Sequence, residues 1–339
     1  MKREHNMICR ELPLDFSFTD AERSALVQRL ESIRVNPYKA YEAFRHEIRM
    51  LVASDPNVAR FRDFMEGRRR VSAYERPFVF IDNCPIDSVL PELGNADPVA
   101  DKHAKKRSFV AEGFLQLHAE VAGEHPISYL NVNDGDVFQD IFPKESLGTS
   151  QSQKALGPIH FHKDLANHFV RPDLVNILAL RSCDDNEIWT TFVANRDVLA
   201  ALDKNTLAVL REGAFYTPYD DLSMMGGNVA LGKAADHAVL TREVELRFFE
   251  NRTEGLTDSA TRAVKRLTET LHAVKRRVQM RPGDFVSISN NLSLHGKEIG
   301  TVRNEAAQRQ RWSIKTVNVH AIAPHVRHLV PGSSYLING

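Results

Sequence analysis

The apolar positions of the first third of the chain recur at helical spacing. Ala21, Ala25, Leu26, Leu30 and Ile33 follow Thr19-Asp-Ala-Glu22, a capping box in which hydroxyl and carboxylate each satisfy a free backbone N–H. A helix is therefore predicted over about 19–34. Tyr41, Phe44, Ile48 and Leu51 continue the period, a polar stretch from Gly94 to Lys106 interrupts it, and Phe109, Phe114, Leu115, Leu117 and Val121 predict another helix. Residues 1–125 are expected to be mainly helical.

From about residue 158 the period shortens. Leu174 to Leu180 is a continuous apolar run, as in strands buried on both faces, and Thr190 to Ala194 reads as a second strand. Leu199 to Leu210 returns to helix. Asn228 to Leu231, His237 to Leu240 and Val244 to Phe249 are short and strand-like, punctuated by Gly226, Gly227 and Gly232. A helix is expected from Asp258 to Val278, then a turn at Arg281-Pro-Gly-Asp284 that launches a strand from Phe285 to Ser289. Ser313 to His320 alternates with period two, with Ile314 and Thr316 on one face. Many short strands with helices around them favour a β-barrel or jelly roll over a βαβ series. The expected organisation is one domain over 1–339, mainly β with surrounding α-helices, its core at 126–325 carrying a helical insert.

Charge narrows the class of function. Across 339 residues, 44 basic side chains balance 44 acidic ones, which argues against long-range attraction to nucleic acid or an anionic membrane. Cys9, Cys84 and Cys183 are too few and too scattered for a disulfide framework. No apolar run approaches the ~20 residues of a membrane span and no leader pattern opens the chain, so a cytoplasmic protein is expected. Gly227 to Ala234 nearly spells a phosphate-binding loop, but Ala234 stands where a magnesium-binding hydroxyl is required and no long helix follows.

The informative segment is Pro158-Ile-His-Phe-His-Lys-Asp164. On a strand, alternate residues share a face, which would point His160, His162 and Asp164 one way. Far downstream come His295-Gly296 and then Arg309-Gln-Arg311-Trp312. Two imidazoles and one carboxylate are the facial set of non-haem Fe(II), which leaves positions for a chelating co-substrate and dioxygen. An arginine fork nearby would hold a carboxylate bidentately.

In these motifs the sequence resembles the Fe(II)/2-oxoglutarate oxygenases, specifically the clavaminate synthase-like branch that contains free amino-acid hydroxylases. The resemblance spans Val137 to Val319. It is carried in order by Phe138-Gln-Asp-Ile-Phe-Pro143, His162-Lys-Asp164, Arg171-Pro-Asp-Leu-Val175, Pro282-Gly-Asp284 to His295-Gly296, and Arg311-Trp-Ser-Ile-Lys315. It implies a double-stranded β-helix core with His162, Asp164 and His295 as iron ligands. Arg311 would pair with the distal carboxylate of 2-oxoglutarate, and Thr191 would add a hydroxyl. Arg309 is the alternative, because the loop after His295 runs about two residues longer than the family's spacing.

Gln139 and Ser152 match positions that contact the amino-acid substrate, and Lys315 stands where an arginine usually holds its carboxylate. Glu250 is the one acidic residue where relatives acting on basic side chains carry aspartates. The implied activity consumes O2 and 2-oxoglutarate to hydroxylate an unactivated C–H bond of a free amino acid or derivative in specialised metabolism. Desaturation or ring closure are other outcomes of the same chemistry. Two competing readings remain: a cupin-type metalloenzyme with His160, His162 and His295 as ligands and no need for 2-oxoglutarate, and a β-sandwich binding module that takes up no metal.

Overall fold

The computed structural model describes residues 11–148, 150–219 and 234–338. The strand expected at 228–231, the glycines at 226, 227 and 232, the phosphate-loop lookalike up to 233 and Cys9 lie outside the described residues.

Two sheets face each other. The larger runs β1 (Phe16–Ser17), β2 (Phe78–Asp82), β13 (Phe285–Ser289), β6 (Leu174–Arg181), β15 (Trp312–Val319), β3 (His125–Tyr129) and β16 (Leu336–Ile337), with β4 (Gln139–Ile141) also paired to β15. The smaller runs β12 (Arg276–Val278), β7 (Ile188–Ala194), β14 (Ser293–Ile299) and β5 (Ile159–His162), all antiparallel. Two short pairs lie apart: β8 (Phe215–Tyr216) with β11 (Glu254–Gly255), and β9 (Leu240–Thr241) with β10 (Glu245–Leu246).

Three apolar layers hold this together. Between the sheets, Val175, Ile177, Val286, Ile288 and Val317 of the larger meet Phe192 and Val278 of the smaller. On the larger sheet's other face, Leu178, Phe285, Trp312 and Ile314 pack under α1 (Asp20–Ser32), α2 (Tyr41–Ser54), α3 (Ala59–Arg69) and α5 (Val110–Ala122) through Leu26, Phe44, Phe61 and Phe114. The smaller sheet's outer face is covered by α6 (Asn195–Ala201), α7 (Lys204–Leu210) and α8 (Asp258–Val274), with Val193 and Leu294 against Val198, Leu210 and Leu267. Every residue of β15 is buried. Its even positions carry Trp312 and Ile314 under the helices, while Ser313, Lys315 and Val317 face inward and line cavities.

The capping box is realised: Glu22 N–H donates to Thr19 Oγ1 at 3.2 Å, and Thr19 N–H to Glu22 Oε2 at 2.8 Å. Elsewhere the structure corrects the pattern. The polar stretch from Gly94 to Lys106 contains α4 (Pro98–Lys105), whose Lys102 is fully buried between Asp136 and Asp140 at 2.9 and 2.8 Å. Its charge is paired inside the protein, so polarity misreported exposure. The helix expected over 199–210 is two short ones, the second capped where Asp203 accepts from Thr206 N–H. The helix expected to reach Val278 ends at Val274, because the chain turns extended at Lys275 and pairs with β7. Of the strands expected at 237–240 and 244–249, only β9 and β10 form. Among the described residues no helix is long and apolar enough to cross a membrane.

Candidate active site

β5 and β14 bring two histidines face to face. Their register pairs His295 with His162 but Lys297 with Ile159, so β5 carries one residue more than β14 over the same stretch. This β-bulge breaks the period of two. His162 therefore shares the inner face with Ile159, while His160 Nδ1 lies 3.7 Å from Glu250 Oε2. The expectation that His160 points with His162 and Asp164 fails for this reason, and the three-histidine cupin arrangement fails with it. At Gly296 the strands approach so closely that a Cβ would meet the Ile159 carbonyl oxygen at 2.7 Å.

Ligand atoms of His162, Asp164 and His295 all lie within 4.8 Å of one another. Asp164 Oδ1 is 3.2 Å from His162 Nε2 and 3.6 Å from His295 Nε2. His162 Nδ1 lies 2.9 Å from the His160 carbonyl oxygen; donating there fixes the tautomer that leaves a lone pair on Nε2. Burial, reinforced by His162 and Lys315 against the pull of Asp164, brings His295 down to about 3, so its imidazole is neutral at pH 7. Burial pushes Asp164 up, but Lys315 and the two imidazoles outweigh it and hold the carboxyl well below the usual range. Fully buried Asn290 grips the Asp164 backbone from both sides: its Oδ1 accepts from Asp164 N–H at 2.9 Å, and its Nδ2 donates to the Asp164 carbonyl at 3.1 Å. A neutral His295 imidazole and an ionised Asp164 carboxylate beside it are protonation states a divalent transition metal requires.

Two cavities meet at this trio. The outer one, about 840 Å³ with its open mouth, is bordered by His162, Asp164, Gln139, Ser152, Phe249 and Lys315. The inner one, about 530 Å³, also touches His162 and Asp164, adds His295, and ends among Thr190, Lys297 and Arg311. Burial pushes the Arg311 guanidinium down to about 10; its Nε has no hydrogen-bond partner, and no carboxylate pairs with it among the described residues.

The sequence candidates sort by position. Gln139, Ser152 and Lys315 border the outer cavity, and Lys315 Nζ donates to Asp164 Oδ2 at 2.7 Å. Arg311 borders the inner cavity, whereas Arg309 closes α9 (Glu305–Arg309) and is exposed. Thr191 is buried on the face of β7 opposite the cavity, and its neighbour Thr190 faces inward. Glu250 borders neither cavity; it accepts from Phe161 N–H at 3.1 Å and from His272 Nε2 at 2.7 Å. Thr191, expected to offer its hydroxyl to 2-oxoglutarate, and Glu250, expected on the substrate side, thus border neither cavity.

No family model matches the sequence. Curated relatives include L-asparagine oxygenase of Streptomyces coelicolor, 25% identical over 265 residues that cover 76% of this chain and 75% of that protein. L-lysine 3-hydroxylase of Catenulispora acidiphila is 24% identical, covering 86% and 80%. Clavaminate synthase 2 of Streptomyces clavuligerus is 26% identical, covering 70% and 72%. Among solved structures, asparagine oxygenase in complex with Fe(II), 3-hydroxyasparagine and succinate superposes over 96% of this chain and 99% of its own, with TM-score 0.81 and 21% identity. The non-heme iron oxygenase OrfP in complex with Fe and alpha-ketoglutaric acid covers 95% and 99%, with TM-score 0.76 and 20% identity. In sequence over most of its length, and in fold, the chain is similar to the clavaminate synthase-like oxygenases.

The site includes residues that were not among the sequence candidates: Thr190, Lys297 and Asn290. For Lys297 a signal was present, since it stands two residues beyond His295 on a strand and so shares its face. Asn290 sits in a polar turn, where nothing local separates an anchor from a solvated loop residue.

Proposed function

We propose that the protein is an Fe(II)- and 2-oxoglutarate-dependent dioxygenase that hydroxylates an unactivated C–H bond of a free amino acid or a derivative of one. The observation that carries this reading is the meeting of two cavities at His162, Asp164 and His295, with an arginine lacking a countercharge at the end of the inner one. The donor set fits the metal: two imidazoles, that of His295 neutral, and one ionised carboxylate are the facial set of non-haem iron. When bound, iron and 2-oxoglutarate supply the oxidation, in which dioxygen and the oxo acid yield succinate, carbon dioxide and a hydroxylated substrate.

The chain's own part is binding and orientation. His162, Asp164 and His295 hold the metal, and the His160 carbonyl and Asn290 fix the first two in place. Arg311 grips the distal carboxylate of 2-oxoglutarate as a planar fork, with Thr190 offering its hydroxyl beside it. In the outer cavity Gln139 and Ser152 take the amino-acid end of the substrate, Lys315 faces its carboxylate, and Phe249, stacked 5.1 Å from the His162 ring, forms an apolar wall. The relatives named for asparagine and lysine support a free amino acid as substrate. In this reading the facing sheets are the two halves of a double-stranded β-helix within one domain, and the protein works in the cytoplasm with Cys84 and Cys183 as thiols.

The test is succinate formation by the anaerobically Fe(II)-loaded protein given 2-oxoglutarate and oxygen, across a panel of amino acids and derivatives. Stimulation by one panel member, with a product carrying one added oxygen atom, is the expected result. Iron binding that survives Asp164→Ala, with no turnover of 2-oxoglutarate, would sink the reading.

A further inference from the structure

We propose that Lys297 is a second binding cation for the distal carboxylate of the 2-oxo acid, and that with Arg311 it makes the inner cavity select a dicarboxylate over a monocarboxylate. The inference rests on the oxygenase reading above.

Lys297 is 6% exposed on β14, opposite Thr190 of β7 in the strand register, and both border the inner cavity with Arg311. Its Nζ donates to the Ala155 carbonyl at 2.6 Å. An ammonium has three N–H donors, so two remain for a ligand. Three other buried lysines are paired with carboxylates, Lys102 with Asp136 and Asp140, Lys106 with Asp87 and Glu112, and Lys315 with Asp164, whereas buried Lys154 donates to the Asn133 amide oxygen and borders neither cavity. Lys297 has no carboxylate partner among the described residues, and neither does Arg311.

Among the described residues the one carboxylate that borders the inner cavity is Asp164, and its Oδ2 already accepts from Lys315. The far end therefore holds two basic side chains, a guanidinium and a lysine amine, with no carboxylate of their own among the described residues. Keeping unpaired charge out of water is costly unless an anion arrives to pair with it. A carboxylate supplies two oxygens, which suit one planar fork and one point donor. An oxo acid that lacks the distal carboxylate would enter the same cavity, chelate at the same trio and leave both cations unpaired.

The experiment is isothermal titration of the Mn(II)-loaded protein, without oxygen, with 2-oxoglutarate and with 2-oxobutyrate, which keeps the chelating end but has no distal carboxylate. Lys297→Met is expected to weaken 2-oxoglutarate on the order of tenfold or more, while 2-oxobutyrate stays within about twofold, as for loss of one charged hydrogen bond. Lys297→Arg should keep most of the 2-oxoglutarate affinity, and retained 2-oxobutyrate binding shows that the Met variant is folded. Unchanged 2-oxoglutarate affinity in Lys297→Met overturns the inference. So does equal weakening of both oxo acids, which would make Lys297 only an anchor for the Ala155 loop. Wild-type protein that binds both acids equally overturns the selection and leaves the oxygenase reading standing; wild-type protein that binds neither overturns both.

Discussion

Lys315 donates to Oδ2 of Asp164 at 2.7 Å, the oxygen other than the one that faces His162 and His295. The carboxylate is thereby divided: Oδ1 is left for the centre and Oδ2 is capped by the protein. A planar arginine at position 315 would reach for two acceptors at once, whereas an ammonium on a flexible stem caps one and can turn toward another. One residue thus touches both the Asp164 carboxylate and the outer cavity.

Lys315→Met removes the countercharge of a buried Asp164. Without metal the variant should lose about 2–3 kcal/mol of folding stability, since one half of a buried pair is left uncompensated. A divalent cation takes over that role, so Mn(II) should restore part of the loss. Urea unfolding with and without Mn(II) measures both; an equal loss in the two conditions would show that Lys315 does not balance Asp164.

The bulge that turns His162 inward is held from behind. Glu250 Oε2 accepts from Phe161 N–H at 3.1 Å and Glu250 N–H donates to the Phe161 carbonyl at 2.8 Å, so both backbone groups of a bulge residue go to one partner. His272 of α8 fixes the carboxylate at 2.7 Å. Glu250→Ala should weaken metal binding about 10-fold although it touches neither cavity, in the range seen for groups that orient metal ligands. Glu250→Gln, which keeps an acceptor for Phe161, should retain most of the affinity. Co(II) titration followed by its visible absorption reads the ligand set directly, and an unchanged spectrum and affinity in the Ala variant would refute the role.

That His162, Asp164 and His295 come together was legible in sequence because they are chemically unusual and come in a set order, and Asp164 needs only the loop after β5 to reach the histidines. The orientation of His160 was not, because a bulge depends on the register of two strands 133 positions apart in Cα partners His162 and His295 and leaves no mark in the local pattern. The same holds for Thr190 against Thr191: adjacent, chemically alike, and distinguished by which face of β7 meets the inner cavity. Helix α5 and strand β6 were readable from their continuous apolar runs. Strand β2 and helix α4 were missed, the second because Lys102 and Lys106 are buried on carboxylates contributed by distant segments.

Acid should act on the helical layer through Glu22. Arg60 donates to both Glu22 oxygens, at 2.8 and 2.6 Å, and this contact, helped by Thr19, brings the carboxyl from 4.5 to about 2 against the opposing effect of burial. A carboxyl whose folded pKa is depressed adds stability above its unfolded pKa and loses it as pH falls toward the folded one. The window is therefore from about 4.5 down to about 2. Arg60 is 48% exposed, so solvent screening limits the effect to about 1 kcal/mol. Glu22→Gln should cost that much at pH 7, and its difference from wild type should shrink as urea titrations are taken below pH 4.5.

Arg309 and Arg311 are two residues apart and face different surroundings. Arg309 ends α9 in solvent, whereas Arg311 enters β15 with its guanidinium against the inner cavity, pushed down to about 10 by burial and still charged at pH 7. Removing Arg311 should move binding and stability in opposite directions. On the proposed function Arg311→Met takes away the fork for the distal carboxylate and should weaken 2-oxoglutarate about 100-fold, the scale of a desolvated bidentate pair. The same change relieves a buried charge that has no partner in the free protein, so its unfolding free energy should rise by about 1 kcal/mol when no oxo acid is present. Arg309→Ala should leave both quantities within about twofold and about 0.5 kcal/mol of wild type, as surface substitutions do. Titration of 2-oxoglutarate and urea unfolding of the two variants decide the matter together. If Arg311→Met were less stable than wild type while binding 2-oxoglutarate normally, the guanidinium would be a structural group, and the inner cavity would need another explanation for its charge.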